Sequence, residues 1–219
     1  MAADRTTSRT AAKARPARRA YESPLRSKRA EETRDTLIRT ATELFTTSGW
    51  TGTGMREIAR ESGVAVETLY KHFPSKRKLL DAVIDRAAAG DAAPTPVADR
   101  PEFRSMGQGP RAERIAAAAA VVSVINGRTI RFAKLIREAA ATDPEIAEVL
   151  RETRERQRTD VATGLELILG RPPTPLERDS TWAIVSPEVY LLLTEASGWP
   201  IDEYRSWVSV TLDSLLPTR

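Results

Sequence analysis

The chain has 219 residues, no cysteine, one histidine and a formal net charge of +4. Without cysteine there is no disulfide framework, thiol nucleophile or thiolate metal site. That fits a reducing cytoplasm. The length suits one small domain plus one of medium size. Charge is divided unevenly: residues 1–80 hold 17 Lys/Arg against 9 Asp/Glu, a balance of +8, and residues 81–219 hold 17 against 21, a balance of −4. A polyanion partner for the first part follows, with a mildly acidic body facing away. No apolar run reads as approaching a membrane span, and the basic N-terminus has no apolar h-region behind it. Neither a membrane partner nor a secretory signal is expected.

Residues 1–28 form a basic arm, with nine Lys/Arg in the first 29 positions and little apolar bulk. Such a segment cannot bury enough carbon to order itself and is expected to be disordered in isolation. It either contacts phosphates and the minor groove through charge or serves as a solubilising tail. A first helix is predicted over about Arg29 to Ser48, with Leu37, Ile38, Ala41, Leu44 and Phe45 on one stripe. Gly49 stops it, and Trp50 packs under the turn.

Two short helices come next. Met55, Ile58 and Ala59 share one face of the first, Ser62-Gly63 ends it, and Val64 plugs the angle. Leu69 and Phe73, four apart, bury one face of the second. Val66, Glu67, Thr68, Tyr70, Lys71 and His72 are left more exposed. This is the spacing of a helix-turn-helix, whose second helix enters the major groove. The domain boundaries read as 29–75 for this head and 76–219 for a helical body, with Ser75 as N-cap of a fourth helix.

The Pro/Gly-rich stretch 91–110 is either a mobile loop beside a pocket or a linker. A central helix through Ala116–Ile125 follows, broken at Gly127 and continued by Phe132, Leu135 and Ile136. Asp143-Pro144 opens a long helix that ends at Gly170. Thr174-Pro175-Leu176-Glu177 is a capping box, and Pro187, inside the helix that this box opens, is expected to kink it. A last helix carries Tyr204, Trp207, Val208, Leu212 and Leu215. No strand-period segment stands out. The fold class is all-α, a three-helix helix-turn-helix domain followed by a helical-bundle ligand-binding and dimerisation domain, with about nine helices in total.

Thr53-x-Met55-Arg56-x-Ile58-Ala59, Gly63-Val64, Thr68-Leu69-Tyr70-x-His72-Phe73 and Ser75-Lys76 together resemble the DNA-binding signature of the tetracycline-repressor (TetR) family. The likeness covers about Arg29 to Leu80; beyond it only the helical layout is similar. The resemblance implies phosphate contacts by Thr53, Tyr70 and Lys76. Read from the residues, Thr53 can also cap the first helix of the motif, and Arg56, Lys71 and His72 supply further polar contact. Val66, Glu67 and Thr68, early in the second helix, are placed for base edges. Glu67 can instead pair with Lys71 at i,i+4, and His72 can simply pack the motif. Ala65 stands where a capping Ser is common, which removes roughly 0.5–2 kcal/mol of cap.

The resemblance further implies a homodimer on a palindromic double-stranded DNA operator and a small-molecule effector held in the body. Val185, Val189, Leu192, Trp207, Val208 and Leu215 are the interface candidates. Asn126, Arg128, Phe132, Ile136, Trp182 and Tyr190 are the pocket candidates, each also readable as core. The reading is a repressor released by its ligand. Alternatives are a regulator of this family controlled by a protein partner, or a helical enzyme with a vestigial DNA-binding head. No metal cluster, cofactor motif or nucleophile–base pair is visible, so no cofactor, metal or enzymatic activity is expected.

Overall fold

Two buried apolar clusters organise the molecule. The computed structural model describes residues 24–93 and 95–217, so residues 1–23 of the expected arm, with Pro94 of the Pro/Gly-rich stretch, lie outside the described residues. Among the described residues the regular structure is helical, without a strand. Helix α1 spans Pro24–Gly52 and starts ahead of the expected Arg29, because proline is tolerated in a first helical turn. Gly49, at φ 71, breaks its helical geometry, so the regular part stops at the expected Ser48. Leu37, Ile38, Ala41 and Phe45 are its buried stripe.

Helices α2 (Met55–Ser62) and α3 (Val66–His72) form the motif. Gly63 closes α2 at φ 67, ψ 21, a left-handed conformation that only glycine adopts without steric cost. Its N–H, with that of Val64, satisfies carbonyls of the last turn of α2. Ala65 gives α3 no side-chain cap. Helix α4, Lys76–Ala89, is capped by Ser75, whose hydroxyl accepts from the Lys78 N–H at 3.2 Å.

The stretch expected to be structureless is folded. It holds two 3₁₀ turns and the one-turn helix α5, Pro101–Arg104. Phe103 and Met106 are both buried, and that burial orders the segment against the body. Helix α6 runs unbroken over Arg111–Ala140. A mid-helix glycine costs only about 1 kcal/mol, and α6 packs on α1, α4, α7 and α10, so Gly127 does not end it. By length and composition α6 is apolar enough to cross a membrane, contrary to the reading that no run approaches that length. Its contacts are those of the central helix of a bundle.

Helix α7, Pro144–Leu169, is capped by Asp143, which accepts from the Glu145 N–H at 2.9 Å and the Ile146 N–H at 3.3 Å. Helix α8, Pro175–Ile184, carries the reciprocal capping box of Thr174 and Glu177. Pro187 does not kink a continuing helix. It opens a separate one, α9 (Pro187–Leu191), capped by Ser186 and continued by a π turn over Leu192–Ala196. Helix α10, Ile201–Leu215, buries Tyr204, Val208 and Leu212 at i, i+4 and i+8.

The first cluster joins α1–α4 to Phe132, Leu135 and Ile136 of α6 and to Ile146 and Val149 of α7. The second joins α5, the first half of α6, the C-terminal part of α7 and α10. The head is therefore built onto the α6–α7 corner, with no packing gap at residue 75.

Candidate nucleic-acid interface and body cavity

Helix α3 is fixed from below by Leu69 and Phe73, buried at 0% and 3% exposure. Glu67, Tyr70 and Lys71 are consequently exposed, as is Arg56 on α2. Val66, Thr68 and His72 are half-buried, Val66 because it packs against the head core. Burial, then the charges of Lys71 and Arg34, lower the His72 pKa below its ordinary value. The solvent face of α3 thus presents a phenol, an ammonium and a carboxylate, with a threonine at its edge. Such groups can hydrogen-bond base edges and phosphates.

Two of the expected contacts are turned inward. Thr53 is 2% exposed, and its hydroxyl donates to the Gly49 and Leu44 carbonyls at 2.8 and 3.1 Å. The N-cap of α2 is Gly54 instead. Thr53 fails as a cap because its hydroxyl satisfies the carbonyls freed by the break at Gly49. Lys76 donates its ammonium to the Trp50 carbonyl and lies 3.9 Å from the centroid of the Trp50 ring. Burial lowers its pKa, partly offset by Asp143 and Glu145.

Trp50 in turn donates its indole N–H to the Asp143 carboxylate at 2.8 Å. The cap of α7 is therefore held by the turn that leads into α2. An ion pair between Arg77 of α4 and Glu152 of α7 adds to this joint, and one between Arg86 of α4 and Asp35 of α1 ties two helices of the head together. Sequence reasoning placed Trp50 under the turn and Asp143 at a cap. It missed their contact because they stand 93 residues apart.

The body holds a cavity of about 180 Å³ between α5, α6, α7, α8 and α10. Of the six pocket candidates, Asn126 and Trp182 line it. Asn126 is already satisfied, donating to the Val185 carbonyl at 3.0 Å and the Tyr204 hydroxyl at 3.2 Å. Burial pushes that phenol up to about 12. Phe132 and Ile136 belong to the head-side cluster, because α6 is one helix and its C-terminal half points at α1. Tyr190 stacks edge-on against Tyr204 at 4.9 Å. Arg128 donates to the Ala89 carbonyl at 3.2 Å and lines a second cleft of about 460 Å³ beside the end of α4. Both spaces share Phe103, Val121 and Ile125 as a wall. The sequence reading missed Phe103, Met106, Asp160, Gly164 and Thr181; the 91–110 stretch carried no periodicity to place the first two.

The interface candidates divide. Val185 and Val208 are buried in their own core, Val208 because it follows Tyr204 by one turn. Val189, Trp207 and Leu215 are half-buried and Leu192 is 60% exposed. Val210 at 67%, Leu176 at 76% and Ile201 at 45% add to the exposed carbon of α8–α10. Among the described residues no group of three or more His, Asp or Glu is placed to hold a metal.

A helix-turn-helix head mounted on a helical bundle defines the class. Residues 37–83 match the family model described as bacterial regulatory proteins, tetR family. It is 43% identical over 56 residues to the HTH-type transcriptional activator FasR of Mycolicibacterium smegmatis, covering 26% of each chain. It is 30% identical over 76 residues to the HTH-type transcriptional repressor DrrR1 of Streptomyces coeruleorubidus, covering 35% of this chain and 28% of that one. The matches thus span about a quarter of the length of these relatives. A solved structure assigned to the family, from Mesorhizobium loti, superposes with TM-score 0.63 at 21% identity over 86% of this chain and 96% of that one. That likeness is one of fold.

Proposed function

We propose that this chain is a transcriptional regulator that binds a palindromic operator as a homodimer and leaves it when a small molecule enters the body cavity. The observation that carries this reading is the exposed face of α3, with Glu67, Tyr70 and Lys71 held outward by buried Leu69 and Phe73. Tyr70, Lys71 and Arg56 serve the phosphates, and Thr68 with Glu67 and Val66 reads base edges. One seven-residue helix contacts few bases, so two copies on a two-fold site supply the specificity. Leu192, Val210 and the half-buried Val189, Trp207 and Leu215 form the pairing surface.

Ligand release acts through the joint at Trp50, Lys76 and Asp143. The cavity is walled by α7, and the cap of that helix grips the head. A ligand that shifts α7 changes the spacing of the two reading heads, and its leverage equals its differential affinity for the two spacings. The test is selection of binding sites from random duplex DNA, followed by footprinting upstream of the chain's own coding region. An inverted repeat whose preference changes in Thr68→Ala supports the reading; recovery of no preferred sequence contradicts it.

A further inference from the structure

The body cavity has a particular chemistry. Phe103, Met106, Val122, Leu165 and Ile168 are among the apolar side chains that line it. Thr181 also lines it, is 5% exposed, and its hydroxyl has no hydrogen-bond partner. The neighbouring Trp182 lines it too, with an indole N–H that is buried and equally unpartnered. A buried polar group left without a partner costs about 1–3 kcal/mol, and native proteins leave few of them. Two adjacent residues that line one cavity each carry such an atom, which favours a ligand there. Its size agrees, since a dry cavity of about 150 Å³ holds one benzene ring.

The third polar group is a carboxylate. Asp160 of α7 stands in the cavity lining, at its solvent-facing edge. Burial raises its pKa, and Arg156, the cation that acts on it, offsets only part. Arg156 itself is turned to the Thr153 hydroxyl. The nearby Arg158 is engaged with Asp179 and Glu155. A carboxylate beside an apolar space favours a cationic guest over a neutral or anionic one.

Building on the proposal that this cavity is the effector site, we infer that its ligand is an apolar amine of one or two rings. The rings lie against Phe103, Met106 and Leu165, and the ammonium faces Asp160. Thr181 and Trp182 donate to an acceptor on the ring system. The same carboxylate disfavours an anionic effector.

The experiment is isothermal titration of the full chain, without DNA, with naphthylmethylamine, naphthalenemethanol and naphthoate. These probes share shape and differ in charge. The amine is expected to bind about fivefold tighter than the alcohol, the ratio an ion pair at a part-exposed site supplies, and naphthoate weakest. Asp160→Asn should reduce the amine to the alcohol's affinity, and Asp160→Glu should keep the preference. Equal affinities, an amine preference that survives Asp160→Asn, or naphthoate binding tightest overturns the assignment of ligand class while leaving the cavity as a ligand site. Failure of all three probes to bind overturns both.

Discussion

Trp50, in the turn after the first helix, hydrogen-bonds through its indole N–H to Asp143, the residue that caps α7, at 2.8 Å. The Asp143 pKa is lowered first by that bond and further by the two α7 amides it accepts from. One carboxylate thus terminates the body's longest wall helix after α6 and holds the head. Trp50→Phe keeps the ring and removes the donor. We expect it to lower Tm, and to weaken the effect of a bound ligand on operator affinity by about threefold or more. Measuring operator Kd with and without a saturating effector checks this; an unchanged ratio would show that coupling runs elsewhere.

Lys76 is bound to the Trp50 carbonyl and ring, whereas Tyr70 is 46% exposed. Tyr70→Phe should weaken all duplexes alike by about fivefold, the value of one hydrogen bond. Lys76→Met should leave the slope of log K against log salt unchanged. A slope reduced by about 0.9 would return Lys76 to the phosphate contacts that the family resemblance implies.

Gly164 sits inside α7 and lines the cavity. A Cβ there would meet the Met106 Cε at 3.4 Å and the Phe103 ring at 3.8 Å, ordinary contacts. Gly164→Ala is therefore expected to stabilise the protein by about 0.5–1 kcal/mol, the helical penalty of glycine relative to alanine, and to weaken ligands of the cavity. A lower urea midpoint would show that the wall cannot accept the methyl group.

Arg171 holds the Glu177 carboxyl at about 2, against its ordinary 4.5, helped by the Thr174 N–H. A carboxyl depressed in the folded state stabilises above its unfolded value, and that contribution is lost as pH falls through about 2. Arg171→Met should raise the Glu177 pKa and flatten the fall of Tm between about pH 5 and pH 3. An equally steep fall in the variant would assign the acid sensitivity to other carboxylates.

The head was legible from the sequence because its signals are local. The stop at Gly63, the Ser75 cap and the i, i+4 pair of Leu69 and Phe73 all act within one or two turns. The capping box at Thr174 and the Asp143-Pro144 start were legible for the same reason. What escaped was set by distant packing. Gly127 lies within a continuous α6 because neighbours on several sides support it. Thr53 is drawn inward by carbonyls that the break at Gly49 frees. The cavity depends on Phe103 folding back from a stretch without periodicity, and the outward Val210 lies beside the inward Val208 on one helix.

The central claim is that two copies of α3 read one duplex. It is tested most directly by titrating the full chain into a duplex selected from random DNA, at low salt, with mass read by light scattering. The account predicts two chains per duplex, half-sites about one helical turn apart, and a dimer dissociation constant raised by about a hundredfold in Val210→Arg, where an unpaired charge enters the pairing surface. One chain per duplex, or a Val210→Arg protein that pairs and binds like the parent, would contradict it.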